Sequence, residues 1–418
     1  MSNETTNKLI PALRFPEFVN EGEWEEDVVS QVAEYENGKA HEQDITENGK
    51  YVVVNSKFIS TDGEVRKFSN FANCLAKKED ILMVLSDVPN GRAIAKCFYV
   101  DKNDTYTVNQ RICKITPVKS NSRFLLYLLN RNEFFLAFDD GVKQTNLRNE
   151  DVLNCPIILP KNPNEQQKIA SCLSSLDEVI LAHCQKLEAL KEHKKGLMQN
   201  LFPQEGERVP KWRFKEFEGD GEWVEKKLGE VLNFVMGNAF KSEDFVEDGL
   251  QLIRMGNLYN NQLQLNRTPV FLPKSFAKEY SQFLVRPRDL LMSMTGTLGK
   301  RDYGFVIQIP EISSELLLNQ RVLKIIPKQN CTKEFMLQQL KNDIFLDKLY
   351  SIPGGTKQAN LSTKDLKEIK ISLPQLEEQQ KIASCLSSLD ELIVAQTEKV
   401  AQLKLHKKGL MQGLFVGV

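Results

Sequence analysis

Two stretches of the sequence are identical over fourteen positions. Residues 165–178 and residues 378–391 both read EQQKIASCLSSLDE, and the identity resumes at the same spacing with HKKGLMQ at 193–199 and 406–412. A match of this length inside one chain does not arise by chance. An internal repeat constrains the architecture before any single helix or strand is assigned. The chain therefore consists of two related halves.

Three further blocks occur in the same order in both halves, upstream of the identical stretch. They are RFPEFVNEGEW (14–24) with RFKEFEGDGEW (213–223), NQRICKITP (109–117) with NQRVLKIIP (319–327), and GVKQTNLRNEDVLNCPIILP (141–160) with GGTKQANLSTKDLKEIKISLP (354–374). Between GEW and NQR the halves diverge almost completely, apart from DILM (80–83) and DLLM (289–292). The flanking blocks are alike in the two halves, and the stretch between GEW and NQR is not. This pattern predicts two modules that perform the same kind of function on different targets.

The order of the blocks also reads as a circle opened at one connector. The first copy continues through Leu201-Phe202 into the second RF-x-EF block, whereas the second copy stops three residues after Leu414-Phe415. The block that would follow the second copy stands at the N-terminus. We therefore predict neighbouring termini and a pseudo-twofold arrangement.

After Pro160 and Pro374, which end apolar β-like runs, the pattern becomes helical. Apolar residues fall on alternating steps of three and four, which is the period of a coiled-coil seam. The seam positions are Leu173, Leu176, Ile180, Leu187, Leu190, Leu197 and Leu201 in the first copy, and Leu386, Leu389, Ile393, Val400, Leu403, Leu410 and Leu414 in the second. Polar residues occupy the gaps in the seam: His183, Lys194, Gln396 and Lys407.

From Glu165 to Gln199 such a helix is about 50 Å long at ~1.5 Å per residue. A single helix would expose its apolar stripe, so we expect the two copies to pack on each other, antiparallel in a circular chain. They either stiffen the fold or act as a spacer that fixes the distance between two modules. The spacer is favoured because the length matches the scale of DNA half-sites, which lie about 35 Å apart when separated by one turn.

These elements predict an α+β fold with two globular mixed α/β domains separated by two long antiparallel coiled-coil helices, in a pseudo-twofold circular arrangement. The predicted divisions are an N-terminal segment with the first variable domain (1–163), the first spacer helix (164–203), the second variable domain (204–376) and the second spacer helix (377–418).

Net charge is low for a chain that would bind nucleic acid alone. The sum is −1 and the isoelectric point about 6.5, whereas an isolated DNA-binding domain is usually basic. Residues 21–160 sum to about −5 and residues 211–380 to about +2. A local basic face remains compatible with these sums, because phosphate contacts depend on the placement of charge. We expect partner subunits to supply part of the electrostatic attraction.

Compartment and cofactor classes are restricted by what the sequence omits. The eight cysteines form no CxxC pair, which argues against a zinc site and suits a reducing cytoplasm. No apolar run approaches 18 residues, and the polar start MSNETTNKLI has no secretory apolar region. We expect a cytoplasmic protein without membrane contact.

No catalytic motif is recognisable. The nearest approach to a phosphate-binding loop, at residues 296–301, has the wrong spacing and no Ser or Thr after its lysine. The dinucleotide pattern GxGxxG and the methyltransferase pattern N/D-P-P-Y/F are absent. The four histidines and the acidic residues show no metal-ligand spacing. We predict a non-catalytic chain without a metal.

Polar residues shared by both halves are candidates for contacts with a DNA backbone. In GVKQTNL and GGTKQANL a glycine-led loop can offer backbone N–H groups to phosphate, and lysine and amide side chains add contacts. These candidates are Lys143, Gln144, Asn146, Lys357, Gln358 and Asn360, together with Arg111 and Arg321 from the NQR block. The alternatives are a turn that leads into the next strand, with Asn146 and Asn360 as caps, and a structural strand-edge role for the NQR block. Shared residues cannot discriminate between bases.

Residues that contact bases should lie where the halves differ. Arg and Lys suit guanine, and Asn and Gln suit adenine. The candidates are Asn37, Lys39, Asn55, Lys57, Asn90 and Arg92 in the first half, and Asn238, Lys241, Arg254, Asn257, Thr295 and Lys300 in the second. Each one taken singly is more typical of a solvated loop residue.

The order of these blocks resembles the specificity subunit of type I restriction–modification systems. The resemblance rests on KQ-x-NL, the Leu-Pro stop, EQQKIA…LDE and HKKGLMQ-x-LF, and it covers nearly the whole chain. It implies that the variable segments are target-recognition domains, each binding one half of a bipartite, asymmetric DNA site, and that the repeated helices are the spacers between them.

The resemblance also implies partners. Two methylating subunits dock on a specificity subunit of this family, and two restriction subunits that translocate and cleave DNA join them. S-adenosylmethionine belongs to the methylating subunits, and ATP and Mg²⁺ to the restriction subunits, so none is expected on this chain. A protein scaffold and a fused nuclease are the other interpretations of the sequence. The second is disfavoured because catalytic carboxylates are not recognisable.

Overall fold

The computed structural model describes residues 9–297, 299–311, 315–352 and 358–417. The chain divides into two compact units. The first unit comprises residues 1–185 and 398–418, and the second comprises residues 186–397. Each limit between the units falls inside a long helix, whereas the division predicted from the sequence gave each helix a segment of its own. That division stays a prediction.

Two four-stranded sheets form the first unit. We call them its central sheet and its outer sheet. The central sheet is antiparallel, in the order Ala33–Asn37, Ile112–Pro117, Ile81–Val84, Cys97–Tyr99. The outer sheet has the order Ile45–Thr46, Phe68–Ser69, Tyr51–Val54, Tyr106–Val108, and its last two strands are parallel. The strand Ile81–Val84 is buried along its whole length, which explains its unbroken apolar sequence.

The second unit repeats this plan. Its central sheet has the order Leu232–Met236, Val322–Pro327, Leu290–Ser293, Val306–Gln308. Its outer sheet has the order Phe271–Leu272, Leu250–Ile253, Leu316–Leu318, Leu284–Val285, with a parallel pair in the middle. The strands Ile81–Val84 and Leu290–Ser293 contain most of the DILM and DLLM blocks, so this short similarity marks the buried middle strand of each central sheet.

Each unit also contains two short antiparallel pairs. One joins the residues after GEW to the strand before the Leu-Pro stop: Glu25–Val28 with Pro156–Leu159, and Val224–Lys227 with Lys370–Leu373. The other, which we call the ribbon, joins Ser86–Asp87 to Thr145–Asn146 and Thr295–Thr297 to Gln358–Asn360. The second unit adds a hairpin of Leu258–Tyr259 and Gln262–Leu263.

Short helices complete the units. In the first they are Pro16–Phe18, Val29–Val32, Ser56–Ser60, Ser122–Leu129, Glu133–Leu136 and Asn149–Leu153. In the second they are Lys215–Phe217, Leu228–Val231, Ser242–Asp244, Met255–Asn257, Phe276–Glu279, Ser281–Phe283, Lys333–Gln339, Asp343–Tyr350 and Thr363–Glu368. The helices Ser122–Leu129 and Lys333–Gln339 are capped alike, because the side chains of Asn121 and Thr332 accept the N–H of Phe124 and Phe335.

Three aromatic rings join the repeated blocks in the core of each unit. In the first unit the ring of Phe124 lies 5.9 Å from that of Trp24 and 5.0 Å from that of Phe415. In the second, Phe335 lies 6.1 Å from Trp223 and 5.6 Å from Phe202. These rings come from the GEW block, a capped helix and the Leu-Phe that closes the repeat. Each fully buried ring contributes roughly 1.5–3 kcal/mol.

Two spacer helices contain the repeated sequence: Pro163–Leu201 and Leu376–Leu414, of 39 residues each. At ~1.5 Å per residue, each is about 58 Å long. Asn162 precedes the first, and its side chain accepts the N–H of Asn164 (2.9 Å), while Pro163 stands at the first helical position, where its missing N–H costs nothing. Every seam position is buried or half-buried.

The polar residues at two gaps in the seam form ion pairs. In the first unit Lys407 Nζ lies 2.6 Å from Asp177 Oδ1, and in the second Lys194 Nζ lies 2.7 Å from Asp390 Oδ1. Within each unit the beginning of one spacer helix packs in the core with the end of the other. The segments therefore run antiparallel in each unit, and the lysine–aspartate pair fixes their register.

The two repeated copies of EQQ attach the spacer helix to its unit. Arg14 donates to both carboxylate oxygens of Glu165 (Nε–Oε1 2.7 Å, Nη2–Oε2 2.8 Å), and Trp24 Nε1 donates to Oε1 (3.4 Å). Gln166 accepts the N–H of Asn121 at 2.9 Å. Arg213, Trp223, Glu378, Gln379 and Thr332 repeat these contacts in the second unit. The RF, GEW and EQQ blocks are therefore parts of one buried joint.

Candidate nucleic-acid interface

The NQR block forms a tight turn between the outer and the central sheet. In the first unit Ile112 N donates to Asn109 O (2.9 Å), and Arg111 stands exposed at the tip of the turn. The carbonyl of Arg111 accepts the N–H of Leu85 (3.0 Å), just beyond the buried strand Ile81–Val84. In the second unit Met294 donates to Arg321 O in the same way (3.1 Å). Both arginines lie in turns immediately before a strand of the central sheet, and their backbone carbonyls pair there, which agrees with a structural role at the strand edge.

A glycine brings a second segment against this turn. Gly38 N donates to Ile112 O at 2.9 Å, and a Cβ on Gly38 would stand 2.1 Å from Asn109 O. Only glycine permits this approach. The next residue, Lys39, is exposed and its N–H binds Val108 O (2.9 Å). In the second unit Gly237 makes the same approach to Asn319 and is followed by half-exposed Asn238.

The ribbon adds amide side chains to the same end of the central sheet. Leu147 N donates to Leu85 O (2.8 Å), which places the ribbon beside the NQR turn. Gln144 and Asn146 are exposed, whereas Thr145 and Leu147 between and after them are buried, as strand alternation requires. Gln144 Nε2 donates to Ser86 Oγ at 2.6 Å.

In the second unit Asn360 occupies the place of Asn146, exposed between buried Ala359 and Leu361. Leu361 N donates to Met294 O (2.9 Å) as Leu147 does to Leu85. Of the other candidates here, Lys357 and the side chain of Gln358 lie outside the described residues.

Two expectations about the shared loop need correction in the first unit. The N–H groups of Val142 and Lys143 donate to Asp140 Oδ1 (2.9 and 3.0 Å), and that of Gly141 donates to Asp139 Oδ1 (3.0 Å). These hydrogen bonds lower the pKa of Asp140. The backbone N–H groups of Gly141, Val142 and Lys143 therefore already bind carboxylates and are not free to bind a phosphate. Asn146 and Asn360 belong to ribbon strands and do not act as caps, whereas the predicted alternative of a turn that leads into the next strand describes the loop of the first unit.

A variable loop extends from the ribbon of the first unit and contains Asn90 and Arg92. Asp87 holds this loop by accepting the N–H groups of Ala93 (2.6 Å) and Ile94 (3.1 Å). Asn90 has a φ of 53° and donates from Nδ2 to Gly141 O (3.0 Å), and Arg92 is exposed. The variable loop is thus attached to the shared loop. This attachment places Arg92, which belongs to the first half only, next to residues common to both halves.

The second unit has its own variable loop at this place. Lys300 is exposed, and Asp302 accepts the N–H of Thr297 (2.7 Å). Hydrogen bonds from the Thr297 side chain and backbone lower the pKa of Asp302, so its carboxylate is ionised at neutral pH. This loop therefore presents a cation and an anion side by side.

We use the name polar edge for the side chains that these segments bring together at one end of each central sheet. In the first unit they are Lys39, Arg92, Arg111, Gln144 and Asn146, and in the second Asn238, Lys300, Arg321 and Asn360. Lysine, arginine and amide side chains of this kind contact phosphates and the major-groove edges of base pairs. Their role on DNA stays a prediction.

Other candidates have local tasks in the fold. Asn257 is 2 % exposed, and its amide binds Gln264 O (2.9 Å) and Arg267 O (3.2 Å). Thr295 is 4 % exposed. Asn55 caps the helix that carries exposed Lys57. Arg254 donates to Thr268, Asn37 accepts the Tyr35 hydroxyl at 2.7 Å, and Lys241 precedes a short helix. Asn257 and Thr295 are buried, so their side chains are not accessible to a binding partner, and the prediction that they contact bases is wrong.

Three residues near the polar edge of the second unit were not among the candidates predicted from the sequence: Tyr259, Arg267 and Phe305. Tyr259 is half exposed on the hairpin, and its ring lies 5.8 Å from Phe305 and 5.0 Å from the Arg267 guanidinium. The dipeptide Asn260-Asn261 was the available signal, because two residues with positive φ (54° and 58°) form a two-residue hairpin turn.

In the described part of the chain no group of three or more His, Cys, Asp or Glu side chains is placed to hold a metal ion. Within the same residues, no helix combines the length and hydropathy needed to cross a bilayer.

Comparison with known proteins agrees with this plan. A family model described as type I restriction modification DNA specificity domain matches residues 21–192 and again residues 220–405. The type I restriction enzyme MjaVIII specificity subunit of Methanocaldococcus jannaschii is 28% identical over 428 residues, covering 99% of this chain and 96% of the relative. The MjaIX specificity subunit of the same organism is 40% identical over 175 residues, or 41% of this chain and 39% of the relative.

The fold is similar to that of a solved structure. The S subunit of a type I restriction–modification system from M. genitalium superposes with a TM-score of 0.65 at 18% identity, covering 98% of this chain and 99% of the other. The predicted fold class is therefore confirmed. Because the family model matches both halves, the chain belongs to the family of type I restriction–modification specificity subunits.

Proposed function

We propose that this chain selects a bipartite DNA target, with one unit binding each half-site, and that it is itself non-catalytic. One observation supports this most: the same shared blocks build the same polar edge in both units, while the exposed residues on that edge differ. Lys39 and Arg92 in the first unit are replaced by Asn238 and Lys300 in the second. Two units with the same fold but different exposed side chains suit two half-sites of different sequence. Such a role places the chain in the cytoplasm, where the DNA is.

Methylome sequencing of cells that express the chain with its methylating partner would test this proposal. We expect one asymmetric motif with two half-sites. Arg92→Ala should relax the motif in one half-site only, because the loss of a base contact costs about 1–3 kcal/mol at that position. Arg111→Ala should weaken binding to all sequences alike and reduce the salt slope by about 1, as expected for a phosphate contact. A motif without two parts would contradict the proposal.

The spacer helices are proposed to hold the partner subunits. Four exposed apolar residues lie at equivalent positions of the repeat: Val179 and Leu181 on the first helix, Leu392 and Val394 on the second, each 44–58 % exposed. Exposed apolar side chains at the same two positions of both helices suit two copies of one methylating subunit. S-adenosylmethionine would then belong to those subunits, and ATP and Mg²⁺ to the two restriction subunits.

A single charge substitution on each helix separates the two proposed docking sites. Leu181→Lys should remove one methylating subunit from the complex and Val394→Lys the other, each measured by native mass spectrometry. The double variant should retain none. Glu188→Lys, an exposed change on the same helix, serves as the control. If the double variant still binds two methylating subunits, the docking sites lie elsewhere.

The spacer role has its own test. Seven residues inserted in both helices, after Gln185 and after Thr397, preserve the heptad seam and both lysine–aspartate pairs. The insertion lengthens each helix by about 10.5 Å, which corresponds to roughly three base pairs. We expect the gap in the methylated motif to grow by that amount while both half-sites stay the same. Altered half-sites would show that the helices take part in base recognition.

A protein scaffold remains the second candidate, and the slightly acidic sum of charges is the observation that favours it. We propose instead that the methylating subunits enclose the duplex and provide most phosphate contacts. The isolated chain should then bind DNA weakly and with strong salt dependence. Footprinting of the assembled complex decides: a protected bipartite site supports DNA recognition, and uniform cleavage supports the scaffold.

A further inference from the structure

A cavity of about 390 Å³ opens beside the polar edge of the second unit. It is lined by the hairpin on one side, at Tyr259, and by the ribbon and its variable loop on the other, at Gly296, Thr297 and Asp302. Phe305 also contributes to its wall. Its size lies within the ~300–1,000 Å³ range of sites for small flat ligands.

The aromatic wall is held in place by the surrounding chain. Asn261 Oδ1 accepts the N–H of Val306 (2.8 Å), which fastens the tip of the hairpin to the central sheet. Tyr259 lies against Phe305 with its ring at 69° to that of Phe305, and the Arg267 guanidinium stands 5.0 Å from its centroid. Half of Tyr259 nevertheless stays exposed (50 %). A fixed, exposed ring is a stacking platform.

The opposite wall supplies a hydrogen-bond acceptor. Asp302 Oδ1 binds the N–H of Thr297, and a Cβ on Gly296 would lie 2.3 Å from the same oxygen. Glycine at position 296 therefore allows the carboxylate to reach the ribbon. An aspartate in such a place accepts hydrogen bonds from the exocyclic amino group of a base.

The first unit uses the corresponding segment differently. After the parallel strand Tyr51–Val54 the chain forms the helix Ser56–Ser60, whose Phe58 and Ile59 are 3 % and 2 % exposed. After the equivalent strand Leu250–Ile253 the second unit forms a short helix and the hairpin that exposes Tyr259. The aromatic platform thus belongs to a segment in which the two units diverge.

We infer that this cavity receives an unstacked nucleobase with an exocyclic amino group, adenine, cytosine or guanine, from the half-site bound by the second unit. The base stacks on Tyr259 and donates its amino N–H to Asp302. Aromatic stacking and hydrogen bonds to the base edge are how proteins hold a base outside the helix. The inference rests on the proposed DNA-binding function and adds a specific site to it.

The experiment uses the complex of this chain with its methylating partner and a duplex carrying the motif found by methylome sequencing. Each adenine of the second half-site is replaced in turn by 8-vinyladenine, each cytosine by pyrrolocytosine and each guanine by 6-methylisoxanthopterin. These analogues keep an N–H donor at the exocyclic position, and their fluorescence rises when the base leaves the stack. We expect one responsive position in addition to the adenine that becomes methylated. At that position Tyr259→Ala should abolish the response and weaken specific binding about 5- to 150-fold, the range for loss of one base–aromatic stack.

Controls separate this site from the rest of the proposal. Tyr259→Phe keeps the ring and should keep the response. Phe71→Ala removes a 64 % exposed ring from the first unit and should also leave the response unchanged. A footprint on the motif without any additional responsive base, or a response that persists in Tyr259→Ala, overturns this inference alone. Absence of a sequence-specific footprint with the unsubstituted chain overturns the proposed function as well.

Discussion

Arg14 and Glu165 form a buried ion pair whose side chains are 7 % and 1 % exposed, and Arg213 and Glu378 form its equivalent with the same exposures. Each guanidinium also donates to a backbone carbonyl (Arg14 Nη1 to Gly22 O, 2.6 Å). At the residue scale these pairs explain why the RF and EQQ blocks occur in both halves. The partners are 151 and 165 positions apart in the chain, so no local pattern reveals them.

Glu165→Ala should destabilise the first unit by about 3–5 kcal/mol, because it leaves the Arg14 guanidinium buried without its carboxylate. Urea unfolding, with hydrogen exchange to localise the change, measures this. Glu188→Ala is the matched control on the same helix: Glu188 pairs with Lys191 at the surface (67 % and 48 % exposed), and its loss should change stability by no more than about 0.5 kcal/mol. Equal effects of the two substitutions would disprove the structural role of the buried pair.

Burial raises the thiol pKa of five cysteines, one of which, Cys97, is half-exposed as a residue. Burial raises the pKa of Cys74 to about 11 and those of Cys113, Cys155 and Cys331 to about 12, and it raises that of Cys97 as well. Cys172, Cys184 and Cys385 on the spacer helices are half-exposed. At the residue scale these differences predict that the cysteines react at different rates with an alkylating reagent.

Alkylation of the native protein at pH 8 should therefore modify Cys172, Cys184 and Cys385 first. The thiolate is the reactive form, so each unit by which burial raises a thiol pKa lowers the reactive fraction at pH 8 about tenfold. Peptide mass spectrometry after brief exposure to iodoacetamide gives the order. Raising the pH towards 11 should accelerate the alkylation of Cys74, because the pKa of its thiol is raised to about 11. Early modification of Cys113 would contradict its burial in the central sheet.

At the scale of elements, the spacer helices were largely predictable. The 3.5-residue period identified the seam, and the structure buries or half-buries every position in it. Helical periodicity is local, so the sequence suffices. The sequence did not reveal what the lysines in the gaps do. Lys407 and Lys194 each pair with an aspartate of the other spacer helix, and that aspartate has a further partner in the sheet domain: Tyr127 (2.7 Å) or Gln338 (2.9 Å).

Charge exchange tests the seam pair of the second unit. Lys194→Asp and Asp390→Lys should each lower stability, because like charges then face each other, and the double variant should recover part of the loss. We expect a coupling of about 0.5–1 kcal/mol, since Asp390 is 37 % exposed and water screens the pair. Urea unfolding of the four proteins completes the cycle. The pair Lys407–Asp177 stays unchanged as an internal control, and additive effects would show that the lysine merely fills the gap.

At the scale of the whole chain, one hydrogen bond supports the circular arrangement that the order of the repeated blocks predicted. In the first unit Leu13 N donates to Gly413 O (2.7 Å), so the first and the last segments of the described chain meet. In the second unit Trp212 N donates to Asn200 O (2.9 Å), and there the chain is continuous through the connector. The prediction of neighbouring termini is confirmed by this contact.

Circular permutation should therefore preserve the fold. In the permuted protein a short linker joins residue 417 to residue 9, and the chain is opened between Gln204 and Val209. The new termini then lie in the connector that is continuous in the natural order. Residues 204–209 are exposed, so a new end there disturbs no core. We expect an unchanged circular dichroism spectrum and the same methylated motif. Opening the chain within the buried strand Ile81–Val84 should prevent folding.

The sequence by itself determined the duplication, the order of the blocks, the paired domains and the spacer helices, because repeats and helical periods are written in neighbouring positions. Only the tertiary structure decided how the candidate site is built. The NQR turn, Gly38 and the ribbon meet through hydrogen bonds between segments far apart in the chain, and Asp139 and Asp140 occupy N–H groups that looked available for phosphate. Asn257 and Thr295 looked like surface residues of polar loops, yet both are buried, while Tyr259 proved to be exposed. Exposure and hydrogen-bond pairing depend on what packs nearby, and distant residues supply that packing.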